Sequence, residues 1–130
     1  MGLDMYMYGV KSSFDKNEYH IGHKKECTEV GYWRKANHIH AWFVDNIQNG
    51  VDNCATYCVS PEALEELRKK CVEVLEKPEL ASEILPSRSG FFFGNTEYDE
   101  EYIVDLERTI EIIDWCLEQD FDYFEYSSSW

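Results

Sequence analysis

The sequence contains no apolar run that approaches the roughly 20 residues a membrane-spanning helix requires. At its start it also lacks the basic segment followed by an apolar stretch that marks a secretory signal. The five cysteines are an odd number, and no pair has the CxxC spacing, which favours free thiols in a reducing compartment. These absences predict a cytoplasmic protein that does not act at a membrane.

The sequence also lacks the motifs that would assign it a cofactor or a reaction. Neither the GxxxxGK[ST] pattern nor the GxGxxG pattern of phosphate-binding loops is present. The serines near the C-terminus, at 127–129, have no nucleophile-elbow context. We therefore predict no catalytic residue and no cofactor.

The histidines do not form a convincing metal site. His38 and His40 are two residues apart, so on a helix they face opposite sides and do not share an ion. His20, His23 and Cys27 are spaced for ligation, but the sequence indicates no fourth ligand for a zinc ion. We therefore predict no bound metal.

Basic residues are scarce in the last third of the chain. The formal net charge is −14 over 130 residues, and residues 94–130 hold one basic residue, Arg108, against twelve acidic ones. Such a field repels nucleic acid and anionic membranes and favours basic partners. The hydrophobic fraction of 44% and the aromatic fraction of 15% are typical of a globular protein, and the length predicts a single domain over residues 1–130.

Residue periodicity predicts a mixed fold. Residues 2–10 alternate apolar and polar side chains like a half-buried strand, and the polar residues 11–29 are predicted to form a loop. An apolar stripe predicts the first helix, from about Val30 to Asn49; its members are Trp33, Ala36, Ile39, Phe43 and Ile47. The later predicted elements are a strand over 54–60, a helix from Pro61 to Pro78 capped by Ser60, a strand over Ser89–Gly94, a helix from about Tyr98 to Glu118, and a strand over 121–130.

These elements follow the order β-α-β-α-β-α-β. Four strands and three helices predict an α+β fold, in which a four-stranded sheet has about three helices packed on one face. The strand order within the sheet is not readable from the sequence.

A basic and aromatic face of the first predicted helix is a candidate ligand site. Its members are Arg34, Lys35, Asn37, His38 and Trp42, with Glu97 and Tyr98 predicted opposite them. Guanidinium, ammonium and indole groups together suit an anion or a stacked base, such as a nucleotide. The alternative is a solvated face whose cations pair with nearby acids. A small enzyme that uses His38 as a general base is a less favoured interpretation, since no nucleophile or cofactor motif supports it.

An acidic ridge on the last predicted helix is a candidate partner site. Its members are Glu107, Glu111, Asp114 and Glu118, spaced by four, three and four residues. Like charges at these spacings cost a few tenths of a kcal/mol for each neighbouring pair. Such a ridge would dock on a basic partner or imitate a phosphate backbone. Plain solubility is the alternative explanation.

Several segments resemble a family of small uncharacterised proteins encoded by bacteriophages and prophages. The segments are MGLDMYMY, VGYWRKANHIHAWFV, QNGVDNC, SGFFFGNTEYDE and YSSSW, and the resemblance spans the chain from Met1 to Trp130. Small acidic phage proteins often inhibit host enzymes or defence systems stoichiometrically, so the resemblance implies a role of this class in the cytoplasm of a host bacterium.

The sequence therefore favours a phage or prophage accessory protein that acts by binding. The leading hypothesis is an acidic inhibitor of a host defence or nucleic-acid-handling protein, whose basic surface would contact the ridge. The alternative is a protein that binds a nucleotide or another small anion on the basic and aromatic face.

Overall fold

The computed structural model describes residues 2–16, 21–90 and 94–130. It contains four strands and four α-helices. In chain order they are β1 (Asp4–Lys16), β2 (Ile21–Arg34), α1 (Asn37–Asn46), β3 (Tyr57–Val59), α2 (Pro61–Glu76), α3 (Ala81–Ile84), α4 (Glu100–Glu118) and β4 (Tyr123–Ser129), with a 3₁₀ turn over Pro78–Leu80 between α2 and α3. The predicted α+β class and the four-stranded sheet are confirmed.

The strands form one antiparallel sheet in the order β2-β1-β4-β3. β1 and β2 pair along their whole length, from Asp4 opposite Arg34 to Lys16 opposite Ile21. β4 pairs with β1 only over Asp4 to Val10. The far half of the β1–β2 hairpin, beyond Val10, therefore extends past the end of β4.

One face of the sheet carries the core. Along β4, Phe124 and Tyr126 are buried, whereas the alternating residues Tyr123 and Glu125 are partly exposed on the other face. This alternation is the period of two that a strand imposes on its side chains. The buried face packs against apolar side chains of the helices, including Ile39, Leu64, Leu67, Leu106 and Ile113. The helices therefore cover this face. They number four in the described residues, where about three were predicted, because the four-residue α3 was not foreseen.

The predicted helix over Val30–Asn49 is wrong in its first part, because Val30 to Arg34 belong to β2. Their backbone groups pair with β1, so that Trp33 lies opposite Met5 and Gly31 opposite Met7. Local periodicity does not reveal this long-range pairing. Trp33 still points into the core, and its indole Nε1 donates a 2.8 Å hydrogen bond to Thr109.

The change from strand to helix occurs at Lys35. This residue has a left-handed φ of 57°, and its N–H donates to the carbonyl of Leu3 at 2.7 Å. The hydrogen bond anchors the turn to the start of β1. Helix α1 then begins at Asn37 and ends at Asn46.

Two further predictions differ from the structure. The predicted loop over residues 11–29 is wrong where it is described, since this stretch forms most of the β1–β2 hairpin. Half of the predicted strand over Ser89–Gly94 falls on residues 91–93, which lie outside the described residues, and its described flanks are not strand. The predicted element order is wrong, because β1 is followed by β2, with no helix between them in the described residues.

Helix α4 packs on the sheet beside β2. Asp99 caps its first turn by accepting from the N–H of Tyr102 at 3.2 Å. A Cβ built on Gly31 would lie 2.8 Å from Ile112 Cγ2, so the absence of a side chain there lets α4 approach β2 closely. Within the described part of the chain, no helix combines the length and apolar character needed to cross a membrane.

Gly9 of β1 provides a test of this close packing. A Cβ at this position would lie 2.7 Å from the ring of Phe121, so Gly9→Ala should lower the free energy of unfolding by about 1–3 kcal/mol. Adding Phe121→Leu should recover part of the loss, because leucine lacks the ring that clashes. Urea unfolding of the two single variants and the double variant measures the coupling. Strictly additive effects would show that the two residues do not collide.

Candidate functional site

Helix α1 turns its two histidines toward opposite sides, as their spacing predicts. His38 stacks on Tyr102 of α4 with ring centroids 4.0 Å apart. His40 instead contacts Tyr126 of β4, with its Nδ1 2.6 Å from the phenol oxygen. The two side chains therefore belong to two separate polar clusters.

A cavity of about 200 Å³ lies between the start of α1 and the start of α4. The segments that line it are the strand-to-helix turn at Lys35, the first turn of α1, the segment leading into α4, and the first turns of α4. Its lining residues are Lys35, Asn37, His38, Ser87, Gly94, Asn95, Glu97, Asp99, Glu101, Tyr102 and Asp105.

Four of the seven predicted ligand-site residues line this cavity: Lys35, Asn37, His38 and Glu97. Tyr98 lies beside it, with its ring 5.0 Å from that of Tyr102. Arg34 is exposed at the end of β2, and Trp42 borders a separate cavity of about 110 Å³. The structure thus brings the two distant segments together but divides the basic and aromatic face.

The sequence left open whether that face is exposed, and the structure buries three of its five residues. His38 is 3% exposed and Trp42 is 6% exposed, because α1 is covered by α4 on one side and by the segment around Leu85 on another. Asn37 is also buried: its amide donates to the carbonyl of Asn95 at 2.7 Å and accepts from the N–H of Arg88 at 3.0 Å. Asn37 therefore fastens the segments on both sides of residues 91–93 to α1.

The charge of the cavity differs from what the helix alone suggested. Among its described lining residues, Lys35 is the one basic side chain, and four carry carboxylates: Glu97, Asp99, Glu101 and Asp105. Burial raises the pKa of Asp105 to about 6, and the carboxylates of Glu101 and Asp99 add to the rise, while Arg108 opposes it. The cavity therefore has an excess of negative charge.

His38 forms part of the buried floor of the cavity. Burial lowers its pKa to about 4, although a hydrogen bond to the backbone of Tyr102 and the charge of Asp99 act in the opposite direction. The ring is therefore neutral near pH 7. Its Nε2 has no hydrogen-bond partner among the described residues.

The second histidine cluster is an internal polar network. His40 Nε2 lies 3.0 Å from Asp52 Oδ1, and the indole Nε1 of Trp130 donates to the same oxygen at 3.1 Å. Burial lowers the pKa of His40, against the charge of Asp52, so the ring is neutral near pH 7. Because a carboxylate only accepts, Nε2 donates to Asp52 and the hydroxyl of Tyr126 donates to Nδ1.

This network links the C-terminal strand to α1. His40 and Tyr126 are both 0% exposed, so no substrate reaches the phenol. Burial also raises the pKa of Tyr126 well above its usual range, which keeps the hydroxyl protonated as the donor to His40. The arrangement is thus a structural tie between β4, α1 and the loop at Asp52.

The predicted acidic ridge is only partly a free surface. Glu107, Glu111 and Glu118 are exposed on the outer face of α4. Asp114 is instead bound by Arg68 of α2, with Nε to Oδ1 at 2.5 Å and Nη2 to Oδ2 at 3.3 Å. This two-point ion pair compensates one member of the ridge and joins α4 to α2.

Comparison with known proteins adds no assignment, since no protein-family model, no curated protein and no solved structure matches this chain. The resemblance to phage proteins therefore remains an expectation from the sequence segments alone.

Sequence reasoning missed several residues of both clusters. Glu101, Tyr102 and Asp105 are spaced by one and three residues, which places them on one side of α4. That spacing would have linked them to each other, but not to α1. Asp52 and Tyr126 gave no such signal, because each meets His40 only through the packing of separate segments.

The role of the internal network is testable at Tyr126. Tyr126→Phe removes the hydrogen bond to buried His40 and should lower the free energy of unfolding by about 1–3 kcal/mol. Tyr57→Phe is a matched control on the neighbouring strand, because its hydroxyl donates to Asn53 at an exposed site. Chemical denaturation measures both variants. Equal small losses would mean that the network contributes little.

The charge excess in the cavity is testable at Asp105. Its pKa is about 6 in the folded protein against an ordinary 3.8, so the folded state holds the proton more tightly than the unfolded state. Ionised Asp105 thus opposes folding above about pH 6, and this effect is absent below about pH 4. Asp105→Asn should raise stability by about 1–2 kcal/mol at pH 8 and by little at pH 4.

The pH series must separate the contribution of Asp105 to stability from that of His38. The lowered pKa of His38 makes the protein less stable at low pH, whereas the raised pKa of Asp105 makes it less stable at high pH. His38 lowers stability as the pH falls from about 6.5 to about 4, because the unfolded chain then binds more protons. Both Asp105→Asn and the parent protein contain His38, so the difference between their unfolding free energies reports Asp105. A difference that does not change with pH would contradict the assignment.

Proposed function

We propose that this protein acts by binding another protein through the outer face of α4, which we call the α4 face and define by Val104, Glu107, Glu111, Trp115 and Glu118. The partner in this proposal has a basic surface. The single observation that carries it is an exposed tryptophan among three exposed glutamates on one helix, a combination that folding alone does not require.

The two apolar members of the α4 face are exposed. Val104 is 55% exposed and Trp115 is 46% exposed. Tryptophan is enriched among the residues that contribute most to protein interfaces, where it fills a pocket on the partner. The α4 face thus contains an anchor of the type that interfaces use.

The acidic members surround this anchor. Glu107, Glu111 and Glu118 lie on the same side of the helix as Trp115, because their spacings from it of eight, four and three residues are near whole turns. Arg108 is the one basic residue of α4. A surface of one sign accelerates encounter with a surface of the opposite sign and fixes its orientation.

Asp114 is not part of the proposed contact surface, because it pairs with Arg68 of α2. Its carboxylate is held by Arg68, so it supports α4 from the side of α2 and contributes less charge to a partner. The proposed contact surface is therefore narrower than the four-residue ridge that the sequence suggests.

The class of partner follows from the resemblance to phage and prophage proteins. In that context the partner is a host protein with a basic surface, such as one that handles nucleic acid or acts in defence, and the phage protein acts as its stoichiometric inhibitor. An acidic helix face of this kind competes with a phosphate backbone for the same lysine and arginine side chains of the partner.

The proposal is tested by charge reversal on the α4 face. The variant Glu107→Lys, Glu111→Lys, Glu118→Lys should lose at least about tenfold in affinity for a protein captured from a bacterial lysate and then purified. Trp115→Ala alone should cost about 2 kcal/mol of binding free energy. Binding of the parent protein should weaken steeply between about 50 and 500 mM salt.

A matched control keeps the net charge change equal. Glu62→Lys, Glu76→Lys, Glu79→Lys alters three exposed carboxylates of α2 and the turn after it, away from the α4 face. This control should bind like the parent protein. If it loses as much affinity as the α4 variant, only net charge matters and the proposed surface is wrong. Circular dichroism and thermal unfolding establish that each variant is folded.

A further inference from the structure

We propose that the cavity between α1 and α4 binds a primary ammonium or guanidinium group. The inference concerns a different site from the α4 face and does not depend on the proposed function. It reverses the sign of the ligand that the basic residues of the sequence suggested.

Charge is the first argument. Four carboxylates of Glu97, Asp99, Glu101 and Asp105 line the cavity together with one ammonium group, that of Lys35. The net negative charge of this set would repel an anion and attract a cation. A bound cation could donate hydrogen bonds to the carboxylates, which only accept. Ammonium and guanidinium groups carry only donors, so they complement a lining of acceptors.

Shape is the second argument. Asn37, His38 and Tyr102 are buried and form the floor, whereas Glu97 and Glu101 are exposed at the rim. A volume of about 200 Å³ exceeds that of a single water, whose share of liquid volume is about 30 Å³. The cavity therefore has room for a charged head group and part of the chain that carries it.

The buried histidine is the third argument and is independent of the carboxylates. His38 is only 3% exposed, and its Nε2 has no hydrogen-bond partner in the described part of the chain. A buried polar atom without a partner costs about 1–3 kcal/mol. His38 lines both this cavity and the cavity of about 110 Å³ beside Trp42. A donor group that reaches the ring from the cavity between α1 and α4 would satisfy Nε2, because a neutral imidazole has one nitrogen that accepts.

A metal ion fits these residues less well. No three histidine, cysteine, aspartate or glutamate side chains of the described residues are grouped closely enough to hold one. One oxygen of Asp99 is already used to cap α4. Dispersed acceptors suit a polyatomic cation with several N–H groups better than a compact ion.

The raised pKa of Asp105 agrees with this assignment. Its carboxylate ionises with difficulty because it is buried beside Glu101 and Asp99. A bound cation would stabilise the ionised form. Binding should therefore weaken as the pH falls below about 6, as protons compete with the cation for the carboxylate.

Two small probes test the proposal, each titrated into the full-length protein by calorimetry near pH 7.5. Agmatine carries a guanidinium group and a free amine, and N-acetyl-arginine amide carries the guanidinium group alone. We expect saturable one-to-one binding of agmatine, and no binding of inorganic phosphate. If the arginine amide also binds, the cavity accepts a guanidinium group alone, such as an arginine side chain of a partner protein. If only agmatine binds, the ligand is a small free molecule with two cationic groups.

Variants with opposite expected signs identify the site. Glu97→Gln, Asp105→Asn should weaken agmatine binding at least about tenfold, because it removes two charges from the cavity. Lys35→Met should strengthen it, because it removes the competing ammonium group. Glu107→Gln, Glu111→Gln removes two charges from the α4 face and should leave binding unchanged.

The proposal is overturned if neither probe binds, if only phosphate binds, or if the cavity variant binds agmatine like the parent protein. Loss of binding in Lys35→Met would also overturn it, since that result belongs to an anion site. None of these outcomes bears on the α4 face, whose test uses a protein partner and different residues.

Discussion

The antiparallel pairing of β1 with β2 is the interaction on which the rest of the structure depends. It places Gly31 and Trp33 in the sheet beneath α4. Helix α4 packs closely over Gly31, and its Thr109 accepts a hydrogen bond from Trp33. It also ends at a defined point, where Lys35 bonds to Leu3 and turns the chain into α1. The direction of α1, and hence the side to which each histidine points, follows from that turn.

The two histidines of α1 show how one short helix serves two purposes. His40 lies in a network whose hydrogen bonds are made within the protein, and that network joins α1 to β4. His38 lies against a cavity with acceptors around it and keeps one ring nitrogen without a partner among the described residues. A completed network stabilises the fold. An unpartnered buried group needs an explanation, and the proposed cation supplies one for His38.

The negative charge of the chain is concentrated on α4 and the segment before it. Part of it is used locally: Asp99 caps the helix and Asp114 pairs with Arg68. The remainder is found in two places on α4, the outer face around Trp115 and the cavity side at Glu101 and Asp105. Both places attract positively charged groups by their charge.

The sequence by itself determined the class of fold, the helix that begins at Pro61 and the last helix, each with its apolar stripe, and the last strand. These follow from local spacing and capping, which the chain carries whatever lies beside it. It also determined that His38 and His40 face apart, and that the last third of the chain is acidic. Tertiary structure alone decided that Val30–Arg34 is a strand, because β1 supplies the hydrogen bonds that a helix would otherwise have made internally. It decided as well that His38 is buried among carboxylates and that Asp52 and Tyr126 meet at His40. Such contacts join residues far apart in the chain, and a local pattern contains no information about which distant segment will cover it.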